Sequence, residues 1–237
     1  MKILHLYHDI MNLYGEYANV AAMQRMLEKN NISCEVDKLS VNDTLQLMDY
    51  DFIYVGSGTE SNQKYVMEHL RTYKEELKAY LEAGKMLLMT GNSFEMLGKV
   101  LKDAKEKAYE GLRFFDFTVK EQERVRNTAD AIFTMEGQEK PLVGFINKCS
   151  TISGISSPLF QVKMGLGNET KGNTEGIRYK NFFGTHLTGP ILIKNPYFLI
   201  QLASDLCGKE MDGDYLKFEK AGYEITLREL EKRVENK

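Results

Sequence analysis

The sequence predicts an α/β domain with a mostly parallel sheet, on three grounds. Short apolar runs of strand length alternate with longer segments of helical spacing, the connections between them are short, and glycines close the runs. Lys2 to Tyr7 reads as a buried strand, and Asn12 to Gly15 as a loop. Glu16 to Lys29 carries helical spacing through Val20, Met23, Met26 and Leu27. Cys34 to Leu39 alternates as a second strand, and Asp51 to Val55 is a third, ending in Gly56-Ser57-Gly58. One long amphipathic helix is expected from Gln63 to Ala83, with Gly84 as its stop. Lys85 to Thr90 forms a fourth strand, broken by Gly91-Asn92 before a helix carrying Phe94, Met96 and Leu97. Repetition of strand, helix, strand calls for helices on both faces of the sheet.

The second half changes texture. Phe114 to Lys120 and Glu123 to Phe133 read as antiparallel strands, and Gly165 to Gly176 as a glycine- and asparagine-rich surface loop. The α/β pattern returns with a strand over Asn181 to Leu187, Gly189-Pro190, and a helix from Asn195 to Leu206. A charged helix closes the chain, with apolar spacing at Leu216, Phe218, Ile225 and Leu230. No composition break resembles a linker. The expected organisation is one domain over 1–208 with a charged helical appendage over 209–237.

Composition narrows the function classes. The chain of 237 residues is 43% hydrophobic and 27% charged, the balance of a globular protein able to bury one sizeable core. A formal charge of −3 without clustered basic residues gives no footprint for nucleic acid. No apolar run approaches the ~18 residues of a membrane span, and the first strand is too short for a signal peptide. Cys34, Cys149 and Cys207 are odd in number and widely spaced, which builds neither a disulfide framework nor a zinc motif. A cytoplasmic location follows as the expectation. No G-x-G-x-x-G, P-loop or H-E-x-x-H occurs, so no cofactor and no metal is expected.

In open α/β sheets ligands bind at the carboxyl ends of the strands. Three such ends carry polar residues here, and one shared pocket is expected from them. Gly56-Ser57-Gly58 offers backbone N–H groups to an oxyanion or phosphate, or is simply a tight turn. Thr90-Gly91-Asn92-Ser93 is a strand-turn-helix elbow of the kind that exposes a nucleophile. Its hydroxyls lack a base beside them, Gly91 to Glu95 departs from G-x-S-x-G at the last position, and Ser93 reads more simply as a helix cap. The third end is Thr185-His186-Leu187-Thr188. His186 is a candidate base for Thr90 or Ser93, or else a satisfied structural histidine. His5 and His69 read as structural or exposed, and His8 has no evident partner.

At this point the residues resemble a known family. His5 to Asp9 followed by Asn12 to Val20 is similar to the opening of GatD-type glutaminase subunits of lipid II isoglutaminyl synthase. These belong to the CobB/CobQ-like branch of class I glutamine amidotransferases. Gly56-Ser57-Gly58, Leu97-Gly98, Leu142 to Phe145, Thr174 to Tyr179, Gly184 to Pro190 and Lys194 to Pro196 extend the likeness, in the family's order, over residues 3–206. The resemblance implies a three-layer flavodoxin-like fold and glutamine hydrolysis by a cysteine–histidine pair. It also implies a MurT-type Mur-ligase partner that amidates D-glutamate of the peptidoglycan precursor with ATP. The family elbow C-G-G-Y-Q-L-L-G, anchored on Leu97-Gly98, places its cysteine at Gly91, or at Thr90 with one insertion. The family histidine falls on Thr188. Neither residue type stands there.

Three functional readings fit. The first is an amidotransferase-like subunit without thiol glutaminase chemistry, a heterodimer partner of a MurT-like ligase. It could keep a site for glutamine or another small ligand at Gly56, Ser57, Gly58, Thr90 and Asn92. The second is an active enzyme with a site rebuilt from Thr90 or Ser93, His186 and Cys149. The third is a binding module on the same scaffold.

Overall fold

The computed structural model describes residues 1–123 and 125–235. The chain opens with β1 (Lys2–Leu6), α1 (Tyr17–Lys29), β2 (Glu35–Leu39), β3 (Phe52–Val55), α2 (Glu60–Arg71), α3 (Lys74–Glu82) and β4 (Met86–Thr90). A seven-residue 3₁₀ segment, Gly91–Leu97, follows. Next come β5 (Val100–Lys102), β6 (Ala108–Glu110), β7 (Thr118–Glu121), β8 (Asn127–Thr134), β9 (Leu142–Lys148), β10 (Ser150–Ser153) and β11 (Phe160–Met164). The chain returns through β12 (Thr174–Glu175), β13 (Ile177–Tyr179) and β14 (Phe182–Thr185), then α4 (Ile191–Lys194), α5 (Pro196–Cys207) and α6 (Lys217–Glu235).

The main sheet has the order β13-β14-β4-β3-β1-β2 and is parallel except where β13 runs against β14. Its inner strands β3, β4 and β14 are buried throughout, which is why they read as unbroken apolar runs. Alternation within them divides the core. Phe52, Tyr54, Met86 and Leu88 face the layer of α1 and α5, whereas Ile53, Val55, Leu87 and Met89 face that of α2 and α3. This is the expected three-layer, flavodoxin-like arrangement. Two four-stranded sheets extend the two cores: β10-β7-β5-β6 on the α2–α3 side and β12-β11-β8-β9 on the other. Tyr223, Leu227 and Leu230 of α6 pack on Ile132 and Val143 of the latter.

Several elements differ from the sequence reading. The helix expected over Gln63–Ala83 is two helices, α2 and α3, broken at Thr72-Tyr73. The Thr72 hydroxyl and amide both turn back to the His69 carbonyl, which takes them out of the regular ladder. Gly84 does stop α3. It sits at φ +71°, with its N–H on Leu81 and the Lys85 N–H on Tyr80, a Schellman closure. The helix expected after Gly91 is the short 3₁₀ segment. The strands expected over Phe114–Lys120 and Glu123–Phe133 shrink to β7 and β8 and join different sheets, and residue 124 of the latter lies outside the described residues. The last two residues of the expected appendage lie outside them as well.

Candidate functional site

Elbow and turn meet at the carboxyl ends of β3 and β4. Gly91 makes the sharp turn at φ +63°, in the left-handed region that costs an L side chain about 1–2 kcal/mol. A Cβ added there would lie 2.2 Å from the Ser57 Cβ. The Asn92 side chain pairs reciprocally with Gly58: its Oδ1 accepts the Gly58 N–H at 3.0 Å and its Nδ2 donates to the Gly58 carbonyl at 3.0 Å. The Ser57 N–H donates to Glu16 Oε2 at 2.9 Å. Of the N–H groups that sequence reading offered to an oxyanion, those of Ser57 and Gly58 are therefore held by side chains of the protein itself. Ser57, Gly58, Gly91, Asn92, Glu95 and Cys149 line a cleft of about 20 Å³. That is room for about one water molecule. Gly56 stands behind the cleft, where an added Cβ would come within 2.5 Å of the Met11 carbonyl oxygen.

A polar network supports the turn from beneath. Glu16, fully buried just before α1, receives Ser57 Oγ at 3.0 Å and Thr90 Oγ1 at 2.8 Å on the same Oε2. Tyr54 OH lies 2.7 Å from Thr90 Oγ1 and accepts from Asn19 Nδ2 at 2.9 Å. Glu16 Oε1 is buried with no hydrogen-bond partner among the described residues. Burial pushes the Glu16 carboxyl up to about 7, against the lowering effect of its Thr90 and Ser57 donors.

His186 is buried between two carboxylates. Its Nε2 lies 2.9 Å from Glu95 Oε1 and its Nδ1 3.1 Å from Glu175 Oε1. Glu175 also accepts the His186 N–H at 2.8 Å and the Thr185 hydroxyl at 2.6 Å. Glu95 accepts the Ser150 hydroxyl and, at 2.7 Å, Gln63 Nε2. The Phe94 ring meets the imidazole edge-on at 4.7 Å between centroids. These bonds consume the His186 and Leu187 amides, the latter donating to Thr185 Oγ1, so β14 stops at Thr185, short of the expected Leu187.

The pairing of His186 with a hydroxyl nucleophile is not formed. Thr90 Oγ1 is engaged with Glu16 and Tyr54, while Ser93 Oγ donates to the carbonyls of Thr90 at 2.8 Å and Val55 at 3.2 Å. Ser93 is also not the cap expected of it, because the segment's N-cap is Thr90 and the Ser93 hydroxyl is a donor inside it. Thr188 lies outside the elbow cleft. It forms an antiparallel bridge with Phe145, and its hydroxyl donates to the Phe145 carbonyl at 3.0 Å. It lines a separate cleft of about 420 Å³ beneath α6. The expected three-part pocket is therefore a two-part cleft, which Glu95 joins to His186.

Cys149, between β9 and β10, does reach the elbow cleft. Its thiol donates to Glu60 Oε1 at 3.1 Å, and burial together with that carboxylate pushes it up to about 12. Sequence reasoning passed over Glu16, Glu95 and Glu175. The signal for Glu95 was present, since it is the residue at which the elbow departs from G-x-S-x-G.

A parallel sheet whose strand ends converge on a glycine turn and a sharp strand-to-helix elbow defines the class of α/β proteins that present a nucleophile there. The family model of the CobB/CobQ-like glutamine amidotransferase domain matches residues 2–196, and the chain belongs to that family. It is 29% identical over 216 residues to the lipid II isoglutaminyl synthase (glutamine-hydrolyzing) subunit GatD of Streptococcus pneumoniae, covering 90% of this chain and 83% of that protein. Against the subunit of the same name from Staphylococcus aureus it is 29% identical over 210 residues, covering 89% and 86%. Among solved structures, a glutamine amidotransferase matches with a TM-score of 0.57 at 15% identity, over 86% of this chain and 98% of that one. A glutamine amidotransferase from Thermotoga maritima matches with a TM-score of 0.54 at 14% identity, over 99% and 97%. The chain is thus a glutamine amidotransferase-like protein resembling GatD. No described helix is long and apolar enough to cross a membrane.

Proposed function

We propose that this chain is a GatD-like subunit that keeps the amidotransferase scaffold without cysteine-dependent glutaminase chemistry. One observation carries the reading: the residue at the elbow's sharp turn is glycine, and the Ser57 side chain stands where its side chain would project. The Ser57 and Gly58 N–H groups, both held by side chains of the protein itself, and the narrowness of the cleft support it. Losing a nucleophile and its base as a unit costs on the order of 10⁶ in kcat, about 8 kcal/mol of barrier. The chain acts in the cytoplasm as the non-catalytic partner of a MurT-type ligase amidating a peptidoglycan precursor, with ammonia arriving from solution. Residues 1–208 form the amidotransferase-like unit, and 209–237 a helical appendage.

The test is incubation of the purified chain, with and without its ligase partner, with a glutamine-mimicking electrophile, followed by mass spectrometry. No adduct is expected. A stoichiometric adduct on Cys149, Thr90 or Ser93 would overturn the reading in favour of a rebuilt site. Failure to form a complex with a MurT-type ligase would overturn the assignment of partner.

A further inference from the structure

The contact between Gly91 and Ser57 reaches beyond the absence of a thiol. We propose that Ser57 is a steric plug of the elbow, so that a side chain at position 57 and one at position 91 exclude each other. The inference rests on Gly91 being the nucleophile position of the elbow, as in the function proposed above. A Cβ at residue 91 would meet the Ser57 Cβ at 2.2 Å, its Oγ at 3.1 Å and its Cα at 3.2 Å. The first of these contacts is impossible for real atoms. No rotamer of Ser57 relieves it, because backbone geometry alone fixes a Cβ.

The backbone of residue 57 is itself pinned on three sides. Its N–H and hydroxyl both donate to Glu16 Oε2, at 2.9 and 3.0 Å, and its carbonyl accepts the Leu13 N–H at 3.0 Å. Gly58 is tied to Asn92, and Gly56 is backed against the Met11 carbonyl. Neither strand end can step aside without breaking buried polar bonds. Without the Ser57 side chain, the nearest of these atoms left is the residue-57 Cα at 3.2 Å, and a shift of a few tenths of an ångström accommodates that. The elbow therefore keeps a backbone ready for a side chain at 91, and residue 57 decides whether one fits.

A cycle of thermal unfolding on the full chain tests this, with Gly91→Ala measured in the unsubstituted, Ser57→Gly and Ser57→Ala backgrounds. Gly91→Ala is expected to lower the midpoint by roughly 5–15 °C in the unsubstituted chain, combining overpacking with left-handed strain. In the Ser57→Gly background the same change should cost less than half as much, because only the strain persists. In Ser57→Ala the Cβ remains, so the full cost should return, which separates volume from the lost hydroxyl. Equal costs in the unsubstituted and Ser57→Gly chains would overturn the plug. Should Ser57→Gly fail to fold, a structure of the Gly91→Ala chain decides: a residue-57 turn displaced by about an ångström supports the proposal, and an unmoved turn overturns it. Glutamate release by the unsubstituted chain would refute the proposed function and leave this cycle unaffected.

Discussion

Replacing Glu16 by glutamine isolates a proton that the fold holds beneath the elbow. The folded carboxyl titrates near 7 against an ordinary value of 4.5, because burial disfavours its charge. Between those values the folded state keeps a proton that the unfolded state has released. Stability from this group is complete below about 4.5 and is lost as pH rises through about 7. A shift of about 2.5 units at 1.36 kcal/mol per unit gives a loss of about 3 kcal/mol across the window. His5 works in the opposite direction. Burial pushes its imidazole down to about 4, so its stability is lost as pH falls from about 6.5 towards 4. The two nearly cancel in the unsubstituted protein, whose own pH profile therefore hides both. The readout is the difference between variant and parent, to which His5 contributes nothing. Urea unfolding at pH 4.5, 5.5, 6.5 and 7.5 should show Glu16→Gln gaining about 3 kcal/mol on the parent as pH rises. A difference that stays flat across the four pH values would refute a buried, proton-holding Glu16.

Three further outcomes follow from the geometry. His186→Ala strips Glu95 and Glu175 of their shared buried partner and should destabilise the chain by about 3–5 kcal/mol, read by urea unfolding; a loss below about 1 kcal/mol would mean the cluster is not organised around the ring. Cys149, with its thiol raised to about 12, should react with iodoacetamide at pH 7.5 on the order of 10³-fold more slowly than a free cysteine, and Glu60→Gln should speed it, as followed by mass spectrometry. Leu230→Ala on α6 should cost about 2–3 kcal/mol in urea, because its side chain is buried against Ile132 and Val143; no measurable cost would show α6 detached in solution.

The layers were legible because strands buried on both faces carry continuous apolar runs, as in Phe52–Val55 and Met86–Thr90. The stop of α3 was legible too, since a glycine at φ +71° is a local necessity. The break at Thr72 was not, because it arises from one hydroxyl turning back on a carbonyl within an otherwise helical pattern. Site contacts were the least legible. Glu95 and His186 are 91 residues apart, and no periodicity predicts that their side chains meet. The fit of Ser57 over Gly91 involves a residue whose defining feature is a missing side chain. Cys149 could be suspected but not placed, because its loop is positioned by pairing of β10 with β7.

On the proposed function, the elbow carries no glutaminase. The most direct measurement is steady-state glutamate release from glutamine by the purified chain in complex with its ligase partner, run beside a cysteine-bearing GatD–ligase complex. The expected result is a rate indistinguishable from the uncatalysed background, at least about 10⁵-fold below the comparison complex. Release within a hundredfold of that complex, abolished by Cys149→Ser, Thr90→Val or Ser93→Ala, would contradict it.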